Sequence, residues 1–182
     1  MDALTLSSTR LRLRPVGAGD VEALHRLWMD PQVRRFLWDD IVISRAQAEA
    51  VVAAGVADFA AHRFGLWAVF PRHTAELIGF SGVRSADGGA SPELLYGLHP
   101  HWWGCGFATE AARAVLSYAF ATLGCARITA ATDAPNAASV RVLQRLGMRC
   151  VRRGRLNGLD TLFYTLQRED FLPATRTPEE TA

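Results

Sequence analysis

The chain has 182 residues, of which 49% are hydrophobic, and a formal net charge of +2 at pH 7. This length is enough for one domain with a substantial core, and the hydrophobic content excludes a mostly disordered chain. The sequence has neither a run of about eighteen apolar residues nor a basic-then-apolar leader, so we expect no membrane span and a cytoplasmic location. The nearly balanced charge argues against a nucleic-acid partner.

Alternation and capping signals define the first half of the chain. Residues 5–15 alternate leucine with arginine, which predicts a half-buried strand. Asp20 is suited to cap the helix that follows it, and a short turn is expected over residues 31–37. Ser44 and Gln47 have the spacing of a capping box, which predicts a longer helix after them.

The second half predicts strands alternating with two helices. The clearest helix covers residues 108–123, where apolar residues follow the 3.6-residue period, and Asn136 caps another that extends to about residue 146. Because a helix joins strands 93–98 and 127–131, these two strands should be parallel neighbours in a mixed sheet. The further strands are predicted at residues 66–70, 76–83, 149–153 and 161–166. We expect one domain over residues 1–170 and a flexible tail over residues 171–182.

The three cysteines predict neither a disulfide framework nor a metal site. Cys105, Cys125 and Cys150 are odd in number and widely spaced, which fits no zinc pattern. Cys125 and Cys150 are expected to be small buried residues. Cys105 lies in a glycine-rich turn, where a helix start could lower the pKa of its thiol, although a tolerated side chain pointing away from a ligand is the favoured interpretation.

A glycine-rich turn at residues 103–110 opens the clearest helix. Free backbone N–H groups and the helix dipole make such a turn a binding site for anions, and glycines let a diphosphate approach the backbone. A turn that only allows close helix packing is an equally good interpretation of this segment alone. The turn lacks the lysine of a P-loop and the third glycine of a dinucleotide fingerprint, and the chain contains no lysine at all.

Several segments together resemble one enzyme family. They are WWGCGFATEA at residues 102–111, NAASVRVLQRLGM at 136–148, TRLRLRP at 9–15 and DTLFYTL at 160–166. This combination resembles the GNAT superfamily of acyl-CoA-dependent N-acetyltransferases, and more closely its RimJ/RimL-type branch. The resemblance covers about residues 5 to 170.

The resemblance implies a single α/β domain whose mixed sheet splays open between two parallel strands, with helices on both faces. It implies that acetyl-CoA binds in the splay, and that the strand before the glycine turn carries a bulge, for which Gly97 is suited. The backbone of Leu98 would pair with pantetheine, and Asn136 would bond the cofactor unless it is only a helix cap. The implied cofactor-binding residues are Leu98, Trp103, Gly104, Cys105, Gly106, Phe107, Ala108, Thr109, Asn136 and Ser139.

The resemblance also implies catalytic roles. The backbone N–H of Tyr96 would face the thioester carbonyl, and Glu93 is a candidate general base, with a surface carboxylate as the alternative. The family's frequent tyrosine proton donor aligns with Leu143, which cannot donate. Ser139 could substitute, although hydrogen bonding at a helix start is the favoured interpretation of this residue. Further candidates on the acceptor side are Asp39, Asp40, His99 and Tyr164. An aromatic set of Trp28, Phe36 and Trp38 would suit a cationic amine, and a place in the core is an equally good interpretation of these three residues.

These expectations predict an enzyme that acetylates a primary amine, either a protein N-terminus or a small molecule. The partners would be acetyl-CoA and the amine acceptor, without nucleic acid, membrane or metal, and a homodimer is the assembly usual in the family. The alternative is a non-catalytic acyl-CoA-binding module on the same fold. A nucleotide-binding domain of another class is disfavoured by the missing lysine and the missing third glycine.

Overall fold

The computed structural model describes residues 4–85 and 91–171. The described residues form an eight-stranded sheet in the order β1-β2-β3-β4-β5-β6-β8-β7, with helices α1 to α5 packed on it. The strands are β1 (Leu6–Ser7), β2 (Leu11–Pro15), β3 (Leu66–Pro71), β4 (Gly79–Ser85), β5 (Pro92–Leu98), β6 (Arg127–Asp133), β7 (Arg149–Leu156) and β8 (Leu159–Gln167). The helices are α1 (Val21–Met29), α2 (Pro31–Leu37), α3 (Arg45–His62), α4 (Phe107–Ala121) and α5 (Ala137–Arg145).

The sheet is mixed because one neighbouring pair of strands, β5 and β6, is parallel, whereas the other pairs in the described part of the chain are antiparallel. Helix α4 connects the two parallel strands, as the crossover rule predicts. This arrangement confirms the mixed α/β sheet and the parallel neighbours expected from the sequence.

Two apolar clusters cover the two faces of the sheet. Residues of α4 and α5 such as Leu116 and Leu143 form one cluster with Leu94 and Leu98 of β5. Residues of α1, α2 and α3 form the other with Phe80 of β4. Helices on both faces, as expected, therefore bury the sheet from either side, and the alternating residues of β5 face different helices.

Some boundaries differ from the sequence prediction for identifiable reasons. Residues 31–37 form helix α2 rather than a turn, because the Asp30 side chain accepts from the Gln32 N–H and Pro31 occupies the first helical position. Asp20 precedes α1 but makes no capping bond, since its carboxylate binds Arg14 instead. The capping box at the start of α3 is confirmed.

The cysteine prediction is partly wrong. Cys150 is exposed and Cys125 only half-buried, so neither is the buried residue that the sequence predicted. Cys150 lies in β7, which forms the exposed edge of the sheet. Phe171, predicted as the start of the tail, packs on Phe120 with ring centroids 5.1 Å apart. The rest of the predicted tail, residues 172–182, lies outside the described residues, as do residues 86–90 of the predicted loop before β5.

Candidate active site

The sheet opens between β5 and β6. These strands share a single register pair, Glu93 with Thr129, whereas β5 stays paired with β4, and β6 with β8, along seven residues each. The His99 N–H donates to the Ile78 carbonyl at 2.9 Å and continues the unbroken β4–β5 register. Since backbone groups alternate between the two edges of a strand, those of Tyr96 and Leu98 point toward β6, across the gap.

The predicted bulge at Gly97 is wrong. The β4–β5 register runs without a shift through Gly97, which pairs with Phe80. A Cβ at Gly97 would lie 2.7 Å from the Phe80 ring, so glycine is needed here for close packing of the ring against the strand. The splay of the sheet therefore arises where β5 and β6 diverge, without an inserted residue.

The glycine-rich turn presents uncapped backbone amides beside this gap. Gly104 and Gly106 have positive φ angles of 78° and 80°, and a Cβ on Gly104 would meet no atom within 4 Å. Helix α4 begins directly after Gly106 without a side-chain cap. Within the described ranges, the backbone N–H groups of residues 104–106 have no acceptor. Amides of this kind at a helix start form a cradle for an anionic group.

Trp103 links the turn to the end of β5. Its indole N–H donates to the Leu98 carbonyl oxygen at 2.7 Å, while 44% of the residue stays exposed. The Leu98 carbonyl is thus already occupied, so the main-chain group that Leu98 offers to the gap is its N–H. Cys105 is exposed in the same turn, with its Sγ 3.6 Å from the Trp103 carbonyl.

The first turn of α4 supplies the remaining predicted cofactor residues. Phe107, Ala108 and Thr109 are half-buried there. The Thr109 hydroxyl is inaccessible to solvent and has no hydrogen-bond partner in the described part of the chain. The structure therefore brings the predicted segment from Trp103 to Thr109 together at one end of the gap.

Side chains from both sides meet across the gap. The Tyr96 hydroxyl lies 2.8 Å from Ser139 Oγ and 3.2 Å from the Ser139 carbonyl oxygen, at the start of α5. Burial raises the pKa of Tyr96; the Ser139 hydrogen bond opposes this increase and the neighbouring Tyr164 adds to it. Tyr96 therefore keeps its proton at ordinary pH. Asn136 caps α5 by accepting from the Ser139 N–H at 3.1 Å.

Glu93 lies at the closed end of the gap. Its carboxylate accepts from Arg84 Nε at 2.8 Å, and Arg84 Nη2 lies 2.7 Å from the same oxygen. Leu143, at the position of the family's tyrosine, is 1% exposed within the α4 cluster. A hydroxyl donor near the gap is therefore supplied by Tyr96 and Ser139, not by that position.

Sequence reasoning missed Asp133, the last residue of β6. Four residues beyond the Glu93–Thr129 pair, it lies level with Gly97 at the open end of the gap. Ile128 and Ala130 face the α4 cluster, so by alternation Asp133 faces the α1–α3 side, as Glu93 does. Burial raises the pKa of Asp133, and the charge of Asp39 raises it further. A polar residue at the carboxyl end of a parallel strand was the available signal.

The segment of residues 38–40 approaches this open end. Asn157, at the turn between β7 and β8, donates to Asp39 at 3.4 Å, and the electrostatic effect of Asp39 reaches Asp133. Trp38 packs edge-on against Trp28 at 5.8 Å, and Trp28 against Phe80 at 5.9 Å. Acidic and aromatic groups therefore border one side of the opening.

The other acceptor-side candidates are used elsewhere. Asp40 pairs with Arg34 at 2.9 Å. His99 accepts from the His101 N–H at 3.3 Å in the turn before Trp103. Tyr164 is 4% exposed in the α4 cluster, and the Arg35 guanidinium lies over the Phe36 ring. The side chains of these four residues are therefore engaged in contacts of their own.

Comparison with known proteins identifies the family. The family model described as an acetyltransferase (GNAT) domain matches residues 10–149. The chain belongs to the GNAT acetyltransferases. The N-acetyltransferase YoaA of Bacillus subtilis, which is named as uncharacterised, is 33% identical over 143 residues, covering 78% of this chain and 81% of that protein.

Solved structures share the fold. A GNAT-family acetyltransferase from Bacillus anthracis superposes with a TM-score of 0.79 at 23% identity, covering 91% of this chain and 99% of the other. RimL, described as a ribosomal L7/L12 alpha-N-protein acetyltransferase in complex with coenzyme A, gives 0.75 at 20% identity, covering 90% and 97% of the two chains. At these identities the likeness shows the fold.

Membership of the family makes this chain an acetyltransferase that uses acetyl-CoA. The residues present fit that cosubstrate. Among the residues that the structure describes, the β5 edge beyond Glu93 has no register partner in β6, the amides of the turn beside it have no acceptor, and the space next to Gly104 is open. An extended amide-bearing arm and a diphosphate match these two surfaces.

Proposed function

We propose that this protein transfers the acetyl group of acetyl-CoA to a primary amine, which attacks the thioester directly at the open end of the β5–β6 gap. The observation that carries the proposal is the single Glu93–Thr129 pair between parallel strands, beside the amide-rich turn at Gly104 and Gly106. Unpaired backbone along the edge of the gap and an anion-binding turn at its end suit the two parts of an acyl-CoA, its amide-bearing arm and its diphosphate.

The cosubstrate supplies the activated acetyl group, and the chain supplies its binding surfaces. Residues 103–109 would hold the diphosphate through backbone N–H groups, since the helix dipole favours negative charge there. The Leu98 N–H would pair with the pantetheine arm from β5, and Asn136 at the start of α5 borders the gap from the other side.

Residues on both sides of the gap would stabilise the negative charge on the thioester oxygen and supply the proton for the leaving sulfur. The Tyr96 N–H, which points toward β6, is placed to stabilise negative charge on the thioester carbonyl oxygen. The Ser139 hydroxyl would return a proton to the departing sulfur, with the Tyr96 hydroxyl 2.8 Å behind it as its hydrogen-bond partner. The raised pKa of Tyr96 keeps that partner protonated.

Two carboxylates on the α1–α3 side are candidates to take the proton from the amine. Glu93 is the residue that the family resemblance indicates, but Arg84 holds its carboxylate in an ion pair at the closed end. Asp133 lies at the open end, and burial and the charge of Asp39 raise its pKa, which makes its carboxylate a stronger proton acceptor than an ordinary aspartate. We therefore propose Asp133 as the second candidate base, and replacement of each carboxylate separates the two.

We propose that the acceptor amine binds in its protonated, cationic form and loses a proton before it attacks the thioester. Asp39 and Asp133 provide negative charge at the opening, and Trp38 adds an aromatic face. One relative from Aspergillus fumigatus, 30% identical over 158 residues, is named an FsC-acetyl coenzyme A-N(2)-transacetylase, and the RimL neighbour is named for an alpha-N-protein acceptor. Small amines and peptide N-termini therefore both belong in the test.

The first experiment measures cosubstrate binding by calorimetry. We expect wild-type protein to bind acetyl-CoA, and Gly106→Leu to lose that binding because a side chain there, whose Cβ would lie 3.5 Å from Arg10 Nη2, would distort the turn that presents the amides. Gly124→Leu is the matched control: Gly124 also has a positive φ, 70°, and a Cβ there meets nothing within 4 Å. Both variants carry similar backbone strain. Equal binding by both variants would show that the turn only shapes the fold.

The second experiment measures thiol release from acetyl-CoA with a panel of small amines and peptides bearing free N-termini. Thiol release that depends on one class of acceptor supports the proposal and names that class. Binding of acetyl-CoA without thiol release from any acceptor would instead support the non-catalytic acyl-CoA-binding module.

The cellular setting stays a prediction. No helix in the described residues has both the length and the apolar content to cross a membrane. A cytoplasmic location, a homodimer and the absence of a nucleic-acid partner are expectations from the sequence and the family resemblance. Gel filtration with light scattering tests the assembly directly.

A further inference from the structure

Arg10 and Glu110 join the start of the sheet to the first turn of α4. One Glu110 carboxylate oxygen accepts from the Arg10 backbone N–H and from the Ser8 hydroxyl, both at 2.8 Å. The other accepts from Arg10 Nε at 2.7 Å and lies 2.6 Å from Arg10 Nη2. The hydrogen bonds from Arg10 and Ser8 outweigh burial and lower the pKa of Glu110. Glu110 is therefore a charged anchor at ordinary pH.

Arg10 also reaches the glycine-rich turn. Its Nη1 donates to the Cys105 carbonyl oxygen at 3.0 Å, and its guanidinium lies 4.4 Å from the centroid of the Phe107 ring. The same guanidinium therefore contacts Glu110, the Cys105 carbonyl and Phe107. No other side chain within the described ranges bonds the backbone of residues 104–106.

This contact determines where the next amide points. In a trans peptide the carbonyl of one residue and the N–H of the next point in opposite directions. Because Arg10 holds the Cys105 carbonyl on its own side, the Gly106 N–H is aimed at the other side of the turn. With φ near +80°, Gly106 has no side chain to fix its orientation, so the peptide needs an outside anchor.

We propose that Arg10, held by Glu110, is a positioning residue that fixes the Cys105–Gly106 peptide so that the turn binds the diphosphate of CoA. This inference rests on the proposed diphosphate site at residues 103–109. Arg10 acts on the turn through the backbone, since its Nη1 holds the Cys105 carbonyl while its Nε and Nη2 hold Glu110.

The experiment compares a ligand that carries the diphosphate with one that lacks it. CoA binding is measured by calorimetry and S-acetylpantetheine binding by ligand-observed NMR, for wild type, Arg10→Lys, Arg10→Gln and Glu110→Gln. We expect the Kd for CoA to rise about tenfold in each variant, which corresponds to about 1.4 kcal/mol. The Kd for S-acetylpantetheine should stay within about twofold, because this ligand has no diphosphate to misplace.

Arg10→Lys separates positioning from charge. Lysine keeps the positive charge but cannot hold Glu110 and the Cys105 carbonyl with one planar fork. If Arg10→Lys binds CoA like wild type, the charge alone matters and the inference is wrong. Glu110→Gln keeps Arg10 and removes its anchor, so it tests the same contact if a variant of Arg10 is too unstable to measure.

Arg14→Gln is the matched control. Arg14 lies four positions along the same segment and binds the Asp20 carboxylate through two hydrogen bonds of 2.7 Å, away from the turn. Its loss should lower thermal stability and leave the Kd for CoA unchanged. If Arg14→Gln weakens CoA binding as much as Arg10→Gln does, the effect is general destabilisation and the inference falls. If wild type itself fails to bind CoA, the proposed function fails instead.

Discussion

At the scale of single residues, a pair of hydroxyls faces the gap where the family commonly has one tyrosine. Tyr96 comes from β5 and Ser139 from the start of α5, and their oxygens lie 2.8 Å apart. Leu143, at the tyrosine's position, is buried among apolar side chains. The pair can pass a proton toward the gap while Tyr96 stays neutral, because burial raises its pKa.

Replacing the two hydroxyls separately should distinguish donor from partner. We expect Ser139→Ala to lower kcat about a hundredfold, the lower range for a lost general acid, with little change in KM for acetyl-CoA. Tyr96→Phe should cost less, because Ser139 keeps its own hydroxyl. Steady-state kinetics with the acceptor found in the amine screen measures both. A larger loss from Tyr96→Phe than from Ser139→Ala would reverse the two roles.

Asp133 should destabilise the folded protein for the same reason that it suits proton exchange. Burial, and then the charge of Asp39, raise the pKa of Asp133 in the folded state. Above that pKa, ionisation of Asp133 therefore lowers the stability of the folded protein. Well below the ordinary aspartate pKa, Asp133 is protonated in both the folded and unfolded states and does not affect stability. We expect Asp133→Asn to raise the free energy of unfolding at neutral pH, and the gain to disappear as pH falls through the folded-state pKa. Urea titrations between pH 3 and pH 8 measure this.

The same variant separates the two candidate bases. If Asp133 accepts the amine proton, Asp133→Asn gains stability and loses about a hundredfold or more in kcat/KM. Glu93→Gln should lose stability, because Arg84 is left without its ionic partner. Full activity of Asp133→Asn together with an inactive Glu93→Gln would assign the base to Glu93, as the family resemblance predicts.

The positions of site residues relative to helix starts were predictable where one motif contains them. The turn from Trp103 to Thr109 and the cap at Asn136 could be read from consecutive residues, since helix-start signals are local. The Arg84–Glu93 ion pair and the Tyr96–Ser139 contact could not, because each joins residues far apart in the chain. Asp133 escaped notice because its importance comes from the register of β5 and β6.

At the scale of elements, β5 is the strand that the site depends on, and Gly97 sets how it packs. Its backbone pairs with β4 on one edge and opens to the gap on the other. The Phe80 ring lies against Gly97 and is itself held edge-on by Trp28 at 5.9 Å. The ring therefore cannot swing aside to admit a larger residue.

The stability of Gly97→Ala tests whether this close packing needs a glycine. A Cβ would lie 2.7 Å from the ring, so we expect a loss of about 1–3 kcal/mol in the free energy of unfolding. Gly19→Ala is the control, since a Cβ there meets nothing within 4 Å, and its loss should stay within about 0.5 kcal/mol. Urea denaturation measures both variants. Equal stability of the two would mean that β5 shifts to relieve the contact.

Elements with strong local signals were predicted well. The capping box of Ser44 and Gln47, and the apolar period of α4, depend only on neighbouring residues. Helix α2 was missed because seven residues are too few for a clear period, although Asp30 and Pro31 marked its start. The supposed bulge came from the family pattern, and the close packing of Phe80 explains the glycine instead.

At the scale of the whole molecule, the sheet consists of two parts that meet at one residue pair. Strands β1 to β5 form one part and β6, β8 and β7 the other, with Glu93 and Thr129 as the shared register pair. Helix α4 connects the two parts and packs chiefly on the first. A ligand that binds in the gap contacts both parts at once.

Binding of acetyl-CoA should therefore stabilise the two parts together. At one hundred times the Kd, the free energy of unfolding should rise by about 2.7 kcal/mol. We expect hydrogen exchange to slow at the backbone amides of Tyr96, Leu98 and residues 104–106, and also in β6 across the gap. Mass spectrometry of exchanged peptides measures this. Protection confined to the turn would show that the acyl arm does not enter the gap.

The open sheet was predictable only through the resemblance to a family. Hydrophobic periodicity indicated most of the strands, because each strand carries its own pattern. The single strand predicted over residues 5–15 is wrong, since the Ser8 N–H donates to the Leu11 carbonyl and a turn divides the segment into β1 and β2. Periodicity could not indicate that two parallel strands separate after one pair, since divergence leaves no mark on the side chains of β5 or β6. The sequence shows only the residues that border the gap, the glycines Gly104 and Gly106 and the helix cap Asn136.

The opening between β5 and β6 is lined by main chain, and this has a consequence for how such enzymes can diversify. Mutation replaces side chains and leaves backbone amides in place, so under the proposed function substitutions near Trp38 and Asp39 can alter the acceptor walls without removing the amides that bind the acyl donor. The preferences for donor and acceptor can therefore evolve separately. A library of substitutions confined to the walls on the α1–α3 side should change which amine is acetylated and leave the binding of acetyl-CoA intact.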